Sequence, residues 1–416
     1  MLCASRPPRS IACLLLTLAA SHVFCLAAMA GDERPAGLPQ AEPDEVGLEA
    51  GPLAEIARRM QGFVDDQQVS GAVTLVARQG RIVHLEAVGQ ADLEAGRPMQ
   101  KDTLFAVASM TKPITATAVM ILADEGKLSI DDPVSKHIPA FREAKLEGGQ
   151  RPAREVTIRD VLTHTSGLGG SQQTEATLRE TVEALAVRPL NFEPGTKWQY
   201  SPGLSVAGRI VEEVSGQAFE DFLAERIFRP LGMQDTTFRP TPGQQERLAR
   251  LYERNSDSQT LKPATHWLVD LEGERAPNPS GGLFSTAADL SRFYQMILNG
   301  GELDGRRIVS QEAVDSMTRV RTGELQTGFT PGNGWGLGWC VVREPQGVTR
   351  MLSPGTFGHG GAFGTQGWVD PERELILVLL VQRTNLGNSD GSPLRETFQE
   401  LALQAARNLN RATAEE

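Results

Sequence analysis

Ser109 and Lys112 are separated by one turn of helix in the run Ser109-Met110-Thr111-Lys112-Pro113. A serine hydroxyl is a weak nucleophile at neutral pH and needs an adjacent base. A lysine three residues further along a helix lies on the same face, within reach of that hydroxyl. The flanking residues predict that helix. Ser109 suits an N-cap and Pro113 falls in the first turn, where a missing N–H costs little. Ile114, Ala118, Ile121 and Leu122 mark one face, and Gly126 ends the helix. Ser109 then stands at the positive end of a helix dipole, where the negative charge of an acyl-transfer step is favoured.

Two further groups of residues could complete such a site. Tyr200, in Trp198-Gln199-Tyr200-Ser201-Pro202-Gly203, precedes a helix striped by Ala207, Ile210, Val211 and Val214, so it sits on a loop. A phenol with a solution pKa of about 10 relays protons only beside a cation, and Lys112 is the candidate. His359 opens His359-Gly360-Gly361-Ala362, where glycines let backbone run close to a ligand. The strand after them is expected at a sheet edge, with N–H groups free for an oxyanion.

The elements that must position these residues are legible in outline. Residues 53–64 have helical spacing, and β-rich runs at 72–77 and 82–88 flank a hairpin signal, Arg78-Gln79-Gly80-Arg81. Residues 124–279 read as helical and loop-rich. Strand patterns return at 364–369 and 375–381 around Asp370-Pro371-Glu372-Arg373. A last helix begins at Ser392-Pro393 and buries Leu394, Phe398, Leu401, Ala402 and Ala405. Strands at both ends of the chain pair most simply into one mostly antiparallel sheet flanked by terminal helices. The fold class is therefore α/β of the α+β type. Residues 50–110 and 280–416 are expected to form a sheet lobe and 111–279 a helical second lobe, with a ligand cleft between them.

Composition narrows the setting. Arg6 and Arg9, an apolar run at 11–20 and Ala28-Met29-Ala30 read as a signal peptide over residues 1–30, followed by a leader at 31–49. The alternative is a retained anchor, since 11–30 is about long enough to span a bilayer, although Ser21 and His22 interrupt it. Cleavage after Ala30 removes Cys3, Cys13 and Cys25, leaves Cys340 alone, and takes the net charge from −11 to −13. The expected location is periplasmic or secreted, without membrane insertion after signal removal. So acidic a surface disfavours nucleic acid as a partner. His84, His137 and His266 make no metal-ligand spacing, so no metal or cofactor is called for. Gly-x-Ser-x-Gly is absent, which argues against an α/β-hydrolase. His164 lies in a Thr/Ser-rich turn, Cys340 reads as a small buried residue, and Trp335 and Trp339 as packing.

Taken in order, Ser109-Met110-Thr111-Lys112, Tyr200-Ser201-Pro202 and His359-Gly360-Gly361 resemble the three motifs of the serine β-lactamase and penicillin-binding-protein superfamily. The resemblance is nearest its class C branch and the family VIII carboxylesterases. It extends to residues 157–168, 279–286 and 334–339, and spans about 53–408. It implies an acyl-enzyme on Ser109, with Lys112 and Tyr200 sharing the base role, and an oxyanion hole from the backbone N–H groups of Ser109 and Ala362. It further implies that Gly360 and Gly361 line the substrate, while His359 polarises the site and holds a carboxylate or carbonyl. Two departures stand out. Pro202 replaces an asparagine that binds amide side chains, and His359 replaces a lysine. Both favour a small ester or amide over an anionic β-lactam. A β-lactamase or D,D-peptidase is the alternative, and a ligand-binding homologue of negligible turnover a further one.

Overall fold

Gln79 and Gly80, with φ of 50° and 75°, form a two-residue turn whose twist matches that of its strands. It joins β1 (Gly71–Arg78) to β2 (Arg81–Asp92). In the computed structural model these strands belong to an eight-stranded sheet with β3 (Arg97–Pro98), β4 (Asn333–Trp335), β5 (Cys340–Val342), β6 (Phe357–Gly360), β7 (Gln366–Asp370) and β8 (Leu375–Leu380). The order is β4-β5-β6-β7-β8-β1-β2-β3, and every neighbouring pair is antiparallel. The two ends of the chain meet at β1–β8, where Val73 faces Leu380 and Arg78 faces Leu375. This is the sheet expected from strands at both termini.

The structure describes residues 1–2, 37–170, 175–273, 276–386 and 389–406. The signal, its cleavage point, Cys3, Cys13 and Cys25 lie outside them, as do residues 407–408. Residues Ala36–Glu416 form one contact unit. No helix among the described residues is long and apolar enough to cross a membrane.

Helices cover both faces of the sheet, so its inner strands read as unbroken apolar runs rather than alternating ones. α1 (Ala50–Asp65) and α5 (Pro393–Ala405) pack together on one face through Leu53, Ile56, Leu394 and Phe398, against Val76, Trp368 and Leu377. The Ser392 hydroxyl caps α5 by accepting the Arg395 N–H. Leu401, expected inside, is only partly buried. On the other face α4 (Ala287–Leu298) sets Phe293 and Tyr294 against Val73, Leu75, Ile376 and Val378.

α2 (Thr111–Asp124) differs from its predicted form. A single apolar face was expected, yet every residue from Thr111 to Leu122 is buried, which is the signature of a core helix. α3 (Gly203–Ser215) packs along it, and Gly126 (φ 68°) follows its end as predicted.

Candidate active site

Ser109 is not an N-cap. It is the middle residue of a single 3-10 turn, Ala108–Met110, that runs straight into α2. A side-chain cap is unnecessary because the 3-10 turn takes the first N–H groups itself: Met110 N–H bonds the Val107 carbonyl at 3.2 Å and Thr111 N–H the Ala108 carbonyl. Ala108 takes φ of 47°, a conformation unfavourable for a residue with a Cβ, and the turn thereby presents Ser109 partly exposed amid buried neighbours. Residues 279–285 brace the turn from outside. Leu283 accepts the Val107 N–H, Pro279 accepts the Thr115 hydroxyl, and Phe284–Ser285 pairs with Phe105–Ala106.

Three of the four predicted side chains meet at this turn, and the fourth lies against them. Lys112 Nζ is 3.0 Å from Ser109 Oγ and donates to the Ser280 carbonyl at 2.5 Å. Tyr200 stands beside this pair, with Lys112 Nζ 4.7 Å from the centre of its ring. His359, at the end of β6, has its ring centre 6.1 Å from that of Tyr200 and 5.5 Å from that of Trp335.

Burial decides the charge states. Lys112 is fully buried, and desolvation holds its amine well below the usual lysine value. Burial likewise pushes the Tyr200 phenol up from its usual value. Both shifts favour the uncharged pair, a free amine beside a protonated phenol. Of these two only the amine offers a basic lone pair.

His359 is held neutral too, with its pKa brought down to about 3 by burial and by Lys112. Its Nδ1–H donates to the Gly360 carbonyl at 2.6 Å, so Nε2 carries the lone pair and is an acceptor. The cation or donor implied by the resemblance is therefore absent at this position. An acceptor repels a carboxylate and suits an O–H or N–H. His84, bonded to Thr74 Oγ1 at 2.8 Å within the sheet, is also neutral, at about 4.

These buried histidines make stability pH-dependent. The unfolded chain protonates them near pH 6.5 while the folded one does not. Their contribution is complete above that pH and is lost as pH falls toward 3–4. Between pH 6.5 and 5 each costs about 2 kcal/mol. Calorimetry is expected to show Tm falling over that interval, with a shallower fall in His84→Asn. An identical slope in the variant would contradict the assignment.

The oxyanion prediction concerned Ser109 and Ala362. Neither N–H has an acceptor among the described hydrogen bonds, and Ala362 is exposed. The loop that carries Ala362 reaches the Ser109 turn by a different route from the one expected. The strand after the glycines, β7, is interior, paired on both sides with β6 and β8. The free N–H lies instead in the loop between β6 and β7. Thr365 Oγ1 ties that loop to the Val107 carbonyl at 3.1 Å. A Cβ on Gly361 would stand 2.5 Å from the Val107 carbonyl oxygen, so glycine there lets the loop approach the Ser109 turn. Gly360 is similarly pressed by Asp390 and Gln366. Protein atoms occupy the space a side chain would take at both glycines.

Sequence reasoning missed several neighbours. Trp198 and the half-exposed Phe329 lean on Tyr200, with ring centres 6.2 and 5.1 Å away. Trp335 is buried between His164 and His359, at 5.2 and 5.5 Å. Trp339 is wholly packing, stacked on Phe293, and Cys340 is buried in β5. Only the alternation Trp198-Gln199-Tyr200 hinted that two aromatic rings share one side of the loop.

A serine on a strained turn at the start of a buried helix, a lysine one turn on and a tyrosine from a facing loop thus come together at one place. The family model described as Beta-lactamase matches residues 56–400, and the chain belongs to that family. It is an enzyme of the serine hydrolase class. Esterase EstB of Burkholderia gladioli is 33% identical over 389 residues, covering 84% of this chain and 95% of that protein. Penicillin-binding protein 4 of Amycolatopsis lactamdurans is 34% identical over 317 residues, 74% of this chain and 78% of its own. Among solved structures, EstCE1, a hydrolase with promiscuous acyltransferase activity, superposes with a TM-score of 0.74. It is 25% identical and covers 85% of this chain and 98% of its own.

Proposed function

We propose that the chain is an exported esterase that cleaves small, weakly charged esters or amides through an acyl-Ser109 intermediate. The observation that supports this most is the 3.0 Å approach of Lys112 Nζ to Ser109 Oγ in a site where burial keeps the amine free. Ser109 Oγ attacks the carbonyl carbon and its proton passes to Lys112 Nζ. The oxyanion is met by the Ser109 and Ala362 N–H groups, each such donor contributing about 3 kcal/mol. As the C–O bond breaks, the Tyr200 O–H protonates the leaving alkoxide and regains a proton from the Lys112 ammonium. Water then enters by the reverse route: its proton goes to the same pair, and Ser109 leaves as the alcohol.

The preference for weakly charged esters rests on His359 as a neutral acceptor and on Pro202, which has no side-chain donor. The relative named an esterase agrees with it. The relative named a penicillin-binding protein supports a second reading, in which the substrate is a β-lactam or a peptidoglycan peptide. Parallel assays with p-nitrophenyl butyrate and nitrocefin separate the two. We expect kcat/KM for the ester to exceed that for nitrocefin by about 100-fold or more, a ratio within the reach of differential transition-state binding. The reverse order would overturn the esterase reading.

A further inference from the structure

We propose that His164, which takes no part in the proton transfers above, is the residue that positions Tyr200. The inference rests on the reading of Tyr200 as a proton donor and extends it to the residue that holds the phenol in place.

The loop carrying Tyr200 is strung along a single turn of chain. Three of its backbone N–H groups reach residues 164–167: Asn191 bonds the Gly167 carbonyl at 2.8 Å, Gly195 the Thr165 carbonyl at 2.8 Å and Gln199 the His164 carbonyl at 2.9 Å. The next contact comes from a side chain. The Ser201 N–H donates to His164 Nδ1 at 3.1 Å. One residue thus grips both chain neighbours of Tyr200, through its carbonyl on one side and its ring on the other. The same ring lies 4.5 Å from the Tyr200 ring, inclined by 34°. Trp335 and Trp198 close around it at 5.2 and 5.9 Å.

Two costs accompany this arrangement. His164 adopts φ of 61°, left-handed backbone that favours glycine or asparagine. It is also entirely buried, and its Nε2 finds no hydrogen-bond partner among the described residues. Acceptance of the Ser201 N–H by Nδ1 leaves the ring proton on Nε2, and burial beside Lys112 and His359 keeps the ring neutral. A residue serving only to fill the core would be apolar and would leave no buried polar atom unpaired. A strained backbone and an unpaired buried atom beside a reactive group are what a positional demand produces. Among the described hydrogen bonds His164 has none to Ser109, so its influence on the reaction runs through Tyr200.

A mutant cycle tests this on the full chain, with active sites counted by fluorophosphonate so that misfolded molecules drop out. His164→Ala is expected to lower kcat for p-nitrophenyl butyrate about 100-fold, with KM changed less than about 3-fold, as for a displacement of about 1 Å. In a Tyr200→Phe background the same substitution is expected to cost less than about 3-fold, since the group it positions is gone. His164→Asn keeps an acceptor near the Nδ1 position and tolerates left-handed backbone, so it is expected to recover kcat to within about 10-fold of the parent. Equal losses from His164→Ala in both backgrounds would overturn the proposal, as would equal impairment of the Ala and Asn variants. A Tyr200→Phe enzyme at the parent rate would overturn the reading of Tyr200 itself, and the role of His164 with it.

Discussion

Ser109→Ala is expected to leave a folded protein that neither reacts with a fluorophosphonate nor hydrolyses p-nitrophenyl butyrate, with kcat/KM reduced by about 10⁴-fold or more. The magnitude follows from the chemistry, because without Oγ no acyl-enzyme forms and only binding and the oxyanion donors remain. The fold is expected to be indifferent. The backbone strain at this turn sits on Ala108, not on Ser109. The Thr111 hydroxyl, not that of Ser109, satisfies the Ala108 carbonyl. Lys112 also keeps the Ser280 carbonyl as a partner after the hydroxyl is lost. Tm is therefore expected to move by no more than the equivalent of about 0.5 kcal/mol. Turnover above about 1% of the parent, measured on protein free of contaminating esterase, would assign the nucleophile to another residue.

What could be read from the sequence was whatever is encoded locally. The turn at Gln79-Gly80, the apolar run that became β8 and the Ser392 cap of α5 each lie within a few residues of the signal that announces them. Ser109 and Lys112 were readable for the same reason, being one helical turn apart. The failures share an opposite cause. Ser109 looked like a cap because its type and position suit one, yet a 3-10 turn precedes the helix and its backbone carbonyls take the first N–H groups. β7 is expected at an edge because the glycines before it let backbone run close to a ligand. It is interior because β6 pairs along one side of it and β8 along the other, and a strand's own residues do not announce how many partners it takes. His164 was passed over as a turn residue, since nothing in a sequence tells that its ring will meet a loop 37 residues on. The charge state of Lys112 was equally hidden. Spacing supplied the proximity to Ser109, but the burial that frees the amine comes from α2 being enclosed on every side.

That burial gives Lys112→Met a double signature. Removal of the amine takes away the acceptor of the Ser109 proton, and kcat/KM is expected to fall by about 10³–10⁴-fold, the range for loss of a positioned base. Stability is expected to hold or rise. Methionine fills much of the lysine stem's volume, and the protein no longer sets an amine in a desolvated core, at the expense of one donor to the Ser280 carbonyl. Lys112→Arg is not expected to rescue activity, since a guanidinium remains charged and has no lone pair to offer. The pH profile supplies an independent check. The amine must be unprotonated to act, so kcat/KM falls as pH drops through the Lys112 pKa, which burial sets well below that of a free lysine. His359 is already neutral there and stays so down to about pH 3, and thus adds nothing to this limb. The residual activity of Lys112→Met is expected to lack the acid limb. An unchanged limb, or a variant within about 10-fold of the parent, would shift the base role to Tyr200 and require its phenol to ionise in a site that opposes the charge.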